Sequence, residues 1–379
     1  MIRTLLPALI GCALVPNPTA HASETLEISG YVQPALAARY RPEAVPQDQL
    51  NFGLAESKAG LRLEGQGAAE WSYNIYLYLT GEALEVLTHA IALDTDNDGN
   101  AEKIYTRSAE AAHNLLREAY ATWMAAESLN VYFGRMSIPF TSQAQAADTE
   151  LMFPNRASPN AVFLENRDLG GLASLSVSEG RLEIQGGLFN GTGEGVGEEA
   201  QTGVLYALRL DINPLGGLDR GETGKKDQAT RYGFGLGLVA RPYTLYDSAG
   251  YPSTGVTDLR GTASFRMTGK GLHLLTEGLA RYETNTVTNR PEMAFGAYSQ
   301  LGWYSPFDME PVVRFGWTVE DYTFSPRHIY WSETGVNFYL QDRGSSAKPV
   351  RLGIHYLGEY RITERELAHG ASAQVLVRF

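Results

Sequence analysis

Ala371-Ser372-Ala373-Gln374-Val375-Leu376-Val377-Arg378-Phe379 decides the fold. Ala371, Ala373, Val375, Val377 and Phe379 make one apolar face, Ser372, Gln374 and Arg378 lie on the other, and only Leu376 is out of place. A period of two describes a strand with one oily and one wet side. Working back along the chain, the same rhythm recurs. Leu352, Ile354 and Tyr356 alternate with Arg351, Gly353 and His355; Val313, Phe315, Trp317 and Val319 alternate with Arg314, Gly316, Thr318 and Glu320. Leu259, Gly261, Ala263, Phe265 and Met267 oppose Asp258, Arg260, Thr262, Ser264 and Arg266, and Trp71, Tyr73, Ile75, Leu77 and Leu79 oppose Ser72, Asn74, Tyr76, Tyr78 and Thr80. Segments of about ten residues with this pattern suit a strand facing lipid on one side and a polar lumen on the other.

A soluble sandwich shows the same alternation with its apolar faces turned inward, so the connections have to separate the two. Short turns are expected at 65–70, 127–128, 179–180, 268–271, 305–309 and 344–349. Between them lie longer stretches at 41–52, 82–113, 141–166, 191–202, 244–257, 322–330 and 362–369. Short connections at one end and long ones at the other match periplasmic turns and external loops. The expected class is all-β, a transmembrane antiparallel β-barrel of about sixteen strands, an even number that returns both termini to one side. Segment 214–230, rich in Gly, Lys and Asp, is too long for the short turn it should form.

The N-terminal residues read as an address. Arg3 precedes an apolar run over 5–15, and Ala20-His21-Ala22 is a small-x-small cleavage site. Residues 1–22 are therefore expected to be a signal peptide and 23–379 the barrel domain. The rival reading of Leu9-Ile10-Gly11-Cys12 as a lipoprotein box leaves too short an apolar segment ahead of the cysteine. Cys12 is the only cysteine, so a disulfide framework and Cys-ligated metals are excluded. The chain of 379 residues has 40 Gly, 21 Tyr and 14 Phe, and no later stretch is apolar enough for a membrane helix. A net charge of −12 argues against nucleic acid as a partner.

Tyr132-Phe133-Gly134-Arg135-Met136-Ser137-Ile138-Pro139-Phe140, then a long loop, then Asn166-Arg167-Asp168-Leu169-Gly170-Gly171 and Gly187-Leu188-Phe189-Asn190-Gly191, together resemble the phosphate-selective porin O and P family. The likeness covers these short segments in residues and most of the chain in organisation. It implies a homotrimeric porin in the outer membrane of a Gram-negative bacterium, with a third external loop, here about 141–165, folded inward as a constriction. It also implies Phe379 as an outer-membrane sorting signal, and basic lumen residues that guide anions such as phosphate. Arg62, Arg135, Arg260 and Arg314, with Arg209, Arg266, Arg281 and Arg351, fall on expected lumen faces, and Arg135 and Arg167 flank the loop. Glu56, Glu64, Glu118, Glu183, Asp211, Asp258, Glu277, Glu320 and Glu359 share those faces. From the residues alone, these charges are expected to pair between strands and keep the lumen wet.

Asp94, Asp96, Asp98 and Asn100 form Asp94-Thr95-Asp96-Asn97-Asp98-Gly99-Asn100, the opening of a calcium loop. Tyr105 stands where an EF-hand has its bidentate Glu, so the pattern fits either a weak Ca²⁺ site on an external loop, bridging to lipopolysaccharide, or a solvated acidic loop. Gly224-Lys225 lacks the rest of a phosphate loop, and neither His-Glu-x-x-His nor Gly-x-Ser-x-Gly occurs. The function expected is passive diffusion of ions and small hydrophilic solutes, with no cofactor and no catalysis. A surface-binding barrel with a closed lumen is the alternative, and an outer-membrane hydrolase a more distant one.

Overall fold

A barrel in lipid must pair every backbone N–H and C=O within itself, so the sheet has to close. The computed structural model describes residues 25–42, 50–53, 57–67, 70–80, 116–163, 167–191, 201–222, 229–246, 252–285, 291–320, 322–323, 326–340, 350–362 and 365–379. Nineteen hydrogen-bonded segments build sixteen strands, because three strands are each interrupted once. These are β1 (Thr25–Gln33 and Ala35–Tyr40), β2 (Leu50–Gly53 and Lys58–Gln66), β3 (Trp71–Thr80), β4 (Leu116–Ala126), β5 (Leu129–Ser137), β6 (Arg167–Val177), β7 (Leu182–Phe189) and β8 (Gln201–Gly203 and Leu205–Ile212). The second half comprises β9 (Arg231–Tyr246), β10 (Pro252–Gly269), β11 (Leu272–Asn285), β12 (Pro291–Trp303), β13 (Met309–Glu320), β14 (Arg327–Leu340), β15 (Val350–Arg361) and β16 (Glu366–Arg378). Each strand pairs antiparallel with its neighbours in sequence.

The C-terminal strand closes the ring. Tyr31 pairs with Arg378 and Val32 with Val377, and beyond the break at Pro34, Leu36 pairs with Ala373. Gly30 and Phe379 exchange both backbone hydrogen bonds at 3.0 Å, which leaves no open edge at the seam. Ala371, Ala373, Val377 and Phe379 face outward, while Gln374 and Leu376 are buried inside. Leu376, the residue that broke the pattern, joins an internal cluster with Tyr31, Tyr76 and Tyr78.

The outer surface carries exposed Leu208, Leu236, Leu238, Leu259, Phe315 and Ile354. At the short-turn end it is bordered by Trp303, Phe307 and stacked Trp71 and Trp123. At the other end stand Tyr40, Tyr282, Tyr330 and Tyr360, giving the two aromatic girdles of a membrane barrel. No helix among the described residues is long and apolar enough to cross a membrane.

Two expectations about connections change. The supposed long stretch 244–257 is mostly strand, since β9 runs to Tyr246 and β10 starts at Pro252. β-branched Thr244, Val256 and Thr257, with Tyr243, keep pairing past the nine to eleven or so residues that suffice to cross a bilayer. Likewise β14 begins at Arg327 and β16 at Glu366, inside stretches expected to be loop. Residues 1–24 and 81–115 lie outside the described residues, and with them the signal peptide and Asp94, Asp96, Asp98 and Asn100.

Candidate functional site: a loop clamped to the inner wall

Pro139 ends β5, since it has no N–H to give the ladder. The chain then passes through short 3₁₀ turns at Gln143–Gln145 and Asp148–Glu150 to a six-residue helix, α1 (Ser158–Phe163). Pro159 fits the first helical turn, where its missing N–H is no loss. Ile138, Phe140, Leu151, Met152, Phe153, Ala157 and Phe163 of this segment are all buried.

A segment with so little regular structure leaves carbonyls to satisfy, and the barrel wall supplies the donors. Arg209 Nη1 donates to Phe140 O (2.5 Å), Arg266 Nη2 to Ser142 O (3.4 Å) and Arg351 Nη1 to Leu151 O (2.6 Å). Asn337 Nδ2 reaches Met152 O (2.9 Å), Lys58 Nζ Pro154 O (2.7 Å), Arg314 Nη2 Asn155 O (3.1 Å) and Arg260 Nη1 Phe163 O (2.9 Å). Arg378 donates to Thr149 O. These donors stand on β2, β8, β10, β13, β14, β15 and β16, so the segment is tied to the inner face of seven strands. Guanidinium groups suit the task, because each can hold a carboxylate and a carbonyl at once.

Shape and internal bonds complete the fit. A Cβ on Gly237 would collide with Phe140 O, and one on Gly296 would stand 2.9 Å from the Phe163 ring, so both glycines leave hollows that the segment fills. Phe140 and Phe163 join a cluster with Val239, Leu275, Leu279, Tyr298 and Trp331 from the wall. Glu277 accepts from Ser142 N (2.7 Å) and Tyr298 Oη (2.6 Å). Within the segment, Arg156 binds Gln143 O (3.2 Å), Ala146 O (3.0 Å) and Asp148 (2.5 Å). Burial would raise the Asp148 carboxyl, but Arg156 and Arg117, the latter 3.2 Å away, outweigh it and hold the group well below the usual carboxylate range.

The five arginines singled out in the sequence do not form one ladder. Arg62 and Arg167 meet at Glu118, at 3.8 Å and 2.9 Å. Arg260 and Arg314 are buried beneath the segment as clamps, the first on Asp258 and the second on Glu333, with its guanidinium 4.4 Å above the Phe153 ring. Arg135 is a correction. It pairs with Ala119 and Leu169 in an outward row, beside exposed Phe133, because Met136 and Tyr132 take the inner face of β5 for the loop's apolar cluster. Of the other charges, Arg241 and Arg281 reach Asp258 from the neighbouring strands β9 and β11, as expected, whereas Arg209 with Asp211 (2.6 Å), Arg260 with Asp258 and Arg361 with Glu359 (2.7 Å) pair two residues apart along one strand and not between strands. Lys58, Arg117, Arg156 and Asp148 were missed, since loop and strand-end residues carry no period-two signal. No cluster of three metal-ligating residues occurs among the described residues.

Among the described residues, spaces lie beside the segment. One of about 190 Å³ lies between its residues 154–158 and the walls of β1, β14, β15 and β16, lined by Arg39, Asn155, Arg156, Trp331, Glu333 and Glu359 among others. Another, beside Glu183, Arg209, Asp211 and Arg220, is about 30 Å³, room for about one water.

The closed ring of sixteen strands with outward girdles can be compared with solved folds. Its fold is that of the outer-membrane porins. An anion-selective porin from Comamonas acidovorans superposes with a TM-score of 0.58 at 10% identity, over 94% of this chain and 100% of that one. The outer-membrane channel DcaP of Acinetobacter baumannii gives 0.57 at 10% identity over 95% and 99%, and OmpT of Vibrio cholerae 0.55 at 9% over 95% and 99%. No family model matches the sequence, and no curated protein matches it.

Proposed function

We propose that the chain is a passive diffusion channel of the Gram-negative outer membrane, in which the segment from Ile138 to Phe163 is an inward-folded constriction loop. The observation that carries this reading is the set of wall donors that binds the loop's carbonyls from seven strands. A barrel of this size is too wide for wall side chains to fill, so a loop pinned across it sets the free cross-section. On the side of β14 to β16 a space of about 190 Å³ stays open beside the loop, and its lining mixes both charge signs with Trp331 and Asn155. On the side of β7 to β10 the space beside the loop is only about 30 Å³, room for about one water. Diffusion through such a passage needs no cofactor and no covalent step.

Selectivity leans toward anions in this reading. Lys58, Arg62, Arg117 and Arg167 on β2, β4 and β6, with Arg156 of the loop, gather around Glu64, Glu118 and the loop's Asp148, an excess of cations where the loop meets that wall. The resemblance to the phosphate-selective porins points the same way, as does the presence of an anion-selective porin among the structural neighbours. The porin assembly is proposed to be a homotrimer, like the OmpT recorded in trimer form. A salt gradient across a planar bilayer holding the folded protein tests the selectivity: the reversal potential is expected on the anion side, and a cation-side potential overturns it.

A further inference from the structure

The turn between β8 and β9 was too long for a short connection, and its described part turns back into the barrel. Asn213 N donates to Arg181 O (2.7 Å) and Gly217 N to Glu179 O (2.9 Å), which anchors it on the neighbouring β6–β7 turn at the same end. It then reaches the constriction loop, which enters from the other end. Glu222 N donates to Glu150 O at 2.9 Å. The Glu222 carboxylate is fully buried and accepts from Met152 N (3.0 Å) and Gln143 Nε2 (2.8 Å). Arg220 donates to Gln145 Oε1 (2.6 Å) and Glu183 Oε2 (2.6 Å), tying loop, turn and wall together. Arg266 holds Asp219 O (3.0 Å) and Ser142 O (3.4 Å), so one wall guanidinium touches both segments.

We infer that Asn213–Glu222 is a second constriction element: a strap from the short-turn end that positions the loop and closes the channel's β7–β10 side, with Glu222 and Arg220 as its positioning residues. This rests on the channel reading given above. A buried carboxylate is costly unless its acceptor sites are used, and here they are used by a backbone amide and a side-chain amide of the loop. The same contacts explain why the space lined by Arg209, Asp211, Arg220 and Glu183 is reduced to about 30 Å³. Removing the strap's grip should let the loop tip move and admit water on that side.

Two measurements on the full-length folded barrel test this. The first is docking, which is independent of conduction. Cys12 is the only native cysteine, so Gly221→Cys with Glu150→Cys reports the contact, given that a Cβ at Gly221 lies 3.5 Å from the Glu150 carboxyl carbon. A disulfide forming in the heat-modifiable, folded protein is the expected result; a folded barrel that stays reduced under mild oxidant overturns the inference. The second is single-channel recording of Glu222→Ala and Arg220→Ala, with Glu222→Gln as the conservative partner. The alanine variants are expected to show about twofold larger conductance steps and noisier open states, with Glu222→Gln nearer the native level. Native steps and noise in both alanine variants overturn the strap's role. A disulfide in the double-cysteine variant together with no conductance from the folded native protein overturns the channel reading and leaves the docking in place.

Discussion

Replacing Arg260 by Met removes one clamp while keeping the length and packing of the side chain. The guanidinium is buried and donates to Phe163 O at 2.9 Å, at the C-terminal end of α1. Asp258 is not orphaned, because Arg241 and Arg281 stay within 3.3 Å and 3.4 Å of it. The cost therefore falls on the loop. A hydrogen bond from a charged donor contributes about 1.5–3 kcal/mol, and a six-residue helix has little stability of its own. A loss of about 2 kcal/mol corresponds to ~30-fold more frequent opening of the helix. Hydrogen exchange followed by mass spectrometry on peptides covering 155–163 reads this directly, with barrel integrity checked by heat-modifiable mobility. Exchange about 30-fold faster in that stretch, with unchanged strands, is expected. Native protection of 155–163 would refute the claim that wall arginines hold the loop.

Other perturbations follow from the same geometry. Gly237→Val puts a side chain where Phe140 O lies, so the barrel should fold and insert normally while its conductance steps grow; native steps would count against the fit. Gly30→Val sets a Cβ 2.6 Å from Gly60 O at the seam, and loss of the heat-modifiable folded species on semi-native gels is the outcome expected. For Asp148, a folded pKa held below its ordinary value means stability that is present above that ordinary value and is lost as pH falls through the depressed one. Loop protection should therefore be flat from neutral pH down to about 4, and Asp148→Asn should lower it throughout that range. Arg167→Ala should move the reversal potential toward cations, while Arg135→Ala, in its outward row, should leave it where it was.

The wall of this barrel was largely legible in the sequence, and its filling only in part. Period-two alternation places Asp258, Arg260, Arg314, Arg351 and Gln374 on the inner face because lipid tolerates few polar groups on the other. That constraint is strict along a strand and vanishes at its ends. Arg135 shows the limit: near the top of β5, an arginine at the membrane edge can occupy the outward row, and Phe133 beside it was the residue that told which row that was. A long connection between β5 and β6 was expected from the residues that flank it, but its clamps were not, since an arginine that binds a carbonyl looks in sequence like one that lines water. The β8–β9 strap was visible only as a turn that was too long. What it touches depends on Glu222 meeting Gln143 and Met152 across the lumen, contacts between residues 79 and 70 positions apart that no local pattern encodes.

The most direct test of the account is single-channel conductance in a planar bilayer, comparing the native protein with a variant whose residues 143–157 are replaced by a short Gly-Ser linker. Small, steady steps for the native protein and steps several-fold larger for the variant, about what an unobstructed lumen of this strand number implies, are predicted. Equal steps from the two proteins, or no steps from either folded barrel, would contradict a channel whose bore is set by the clamped loop.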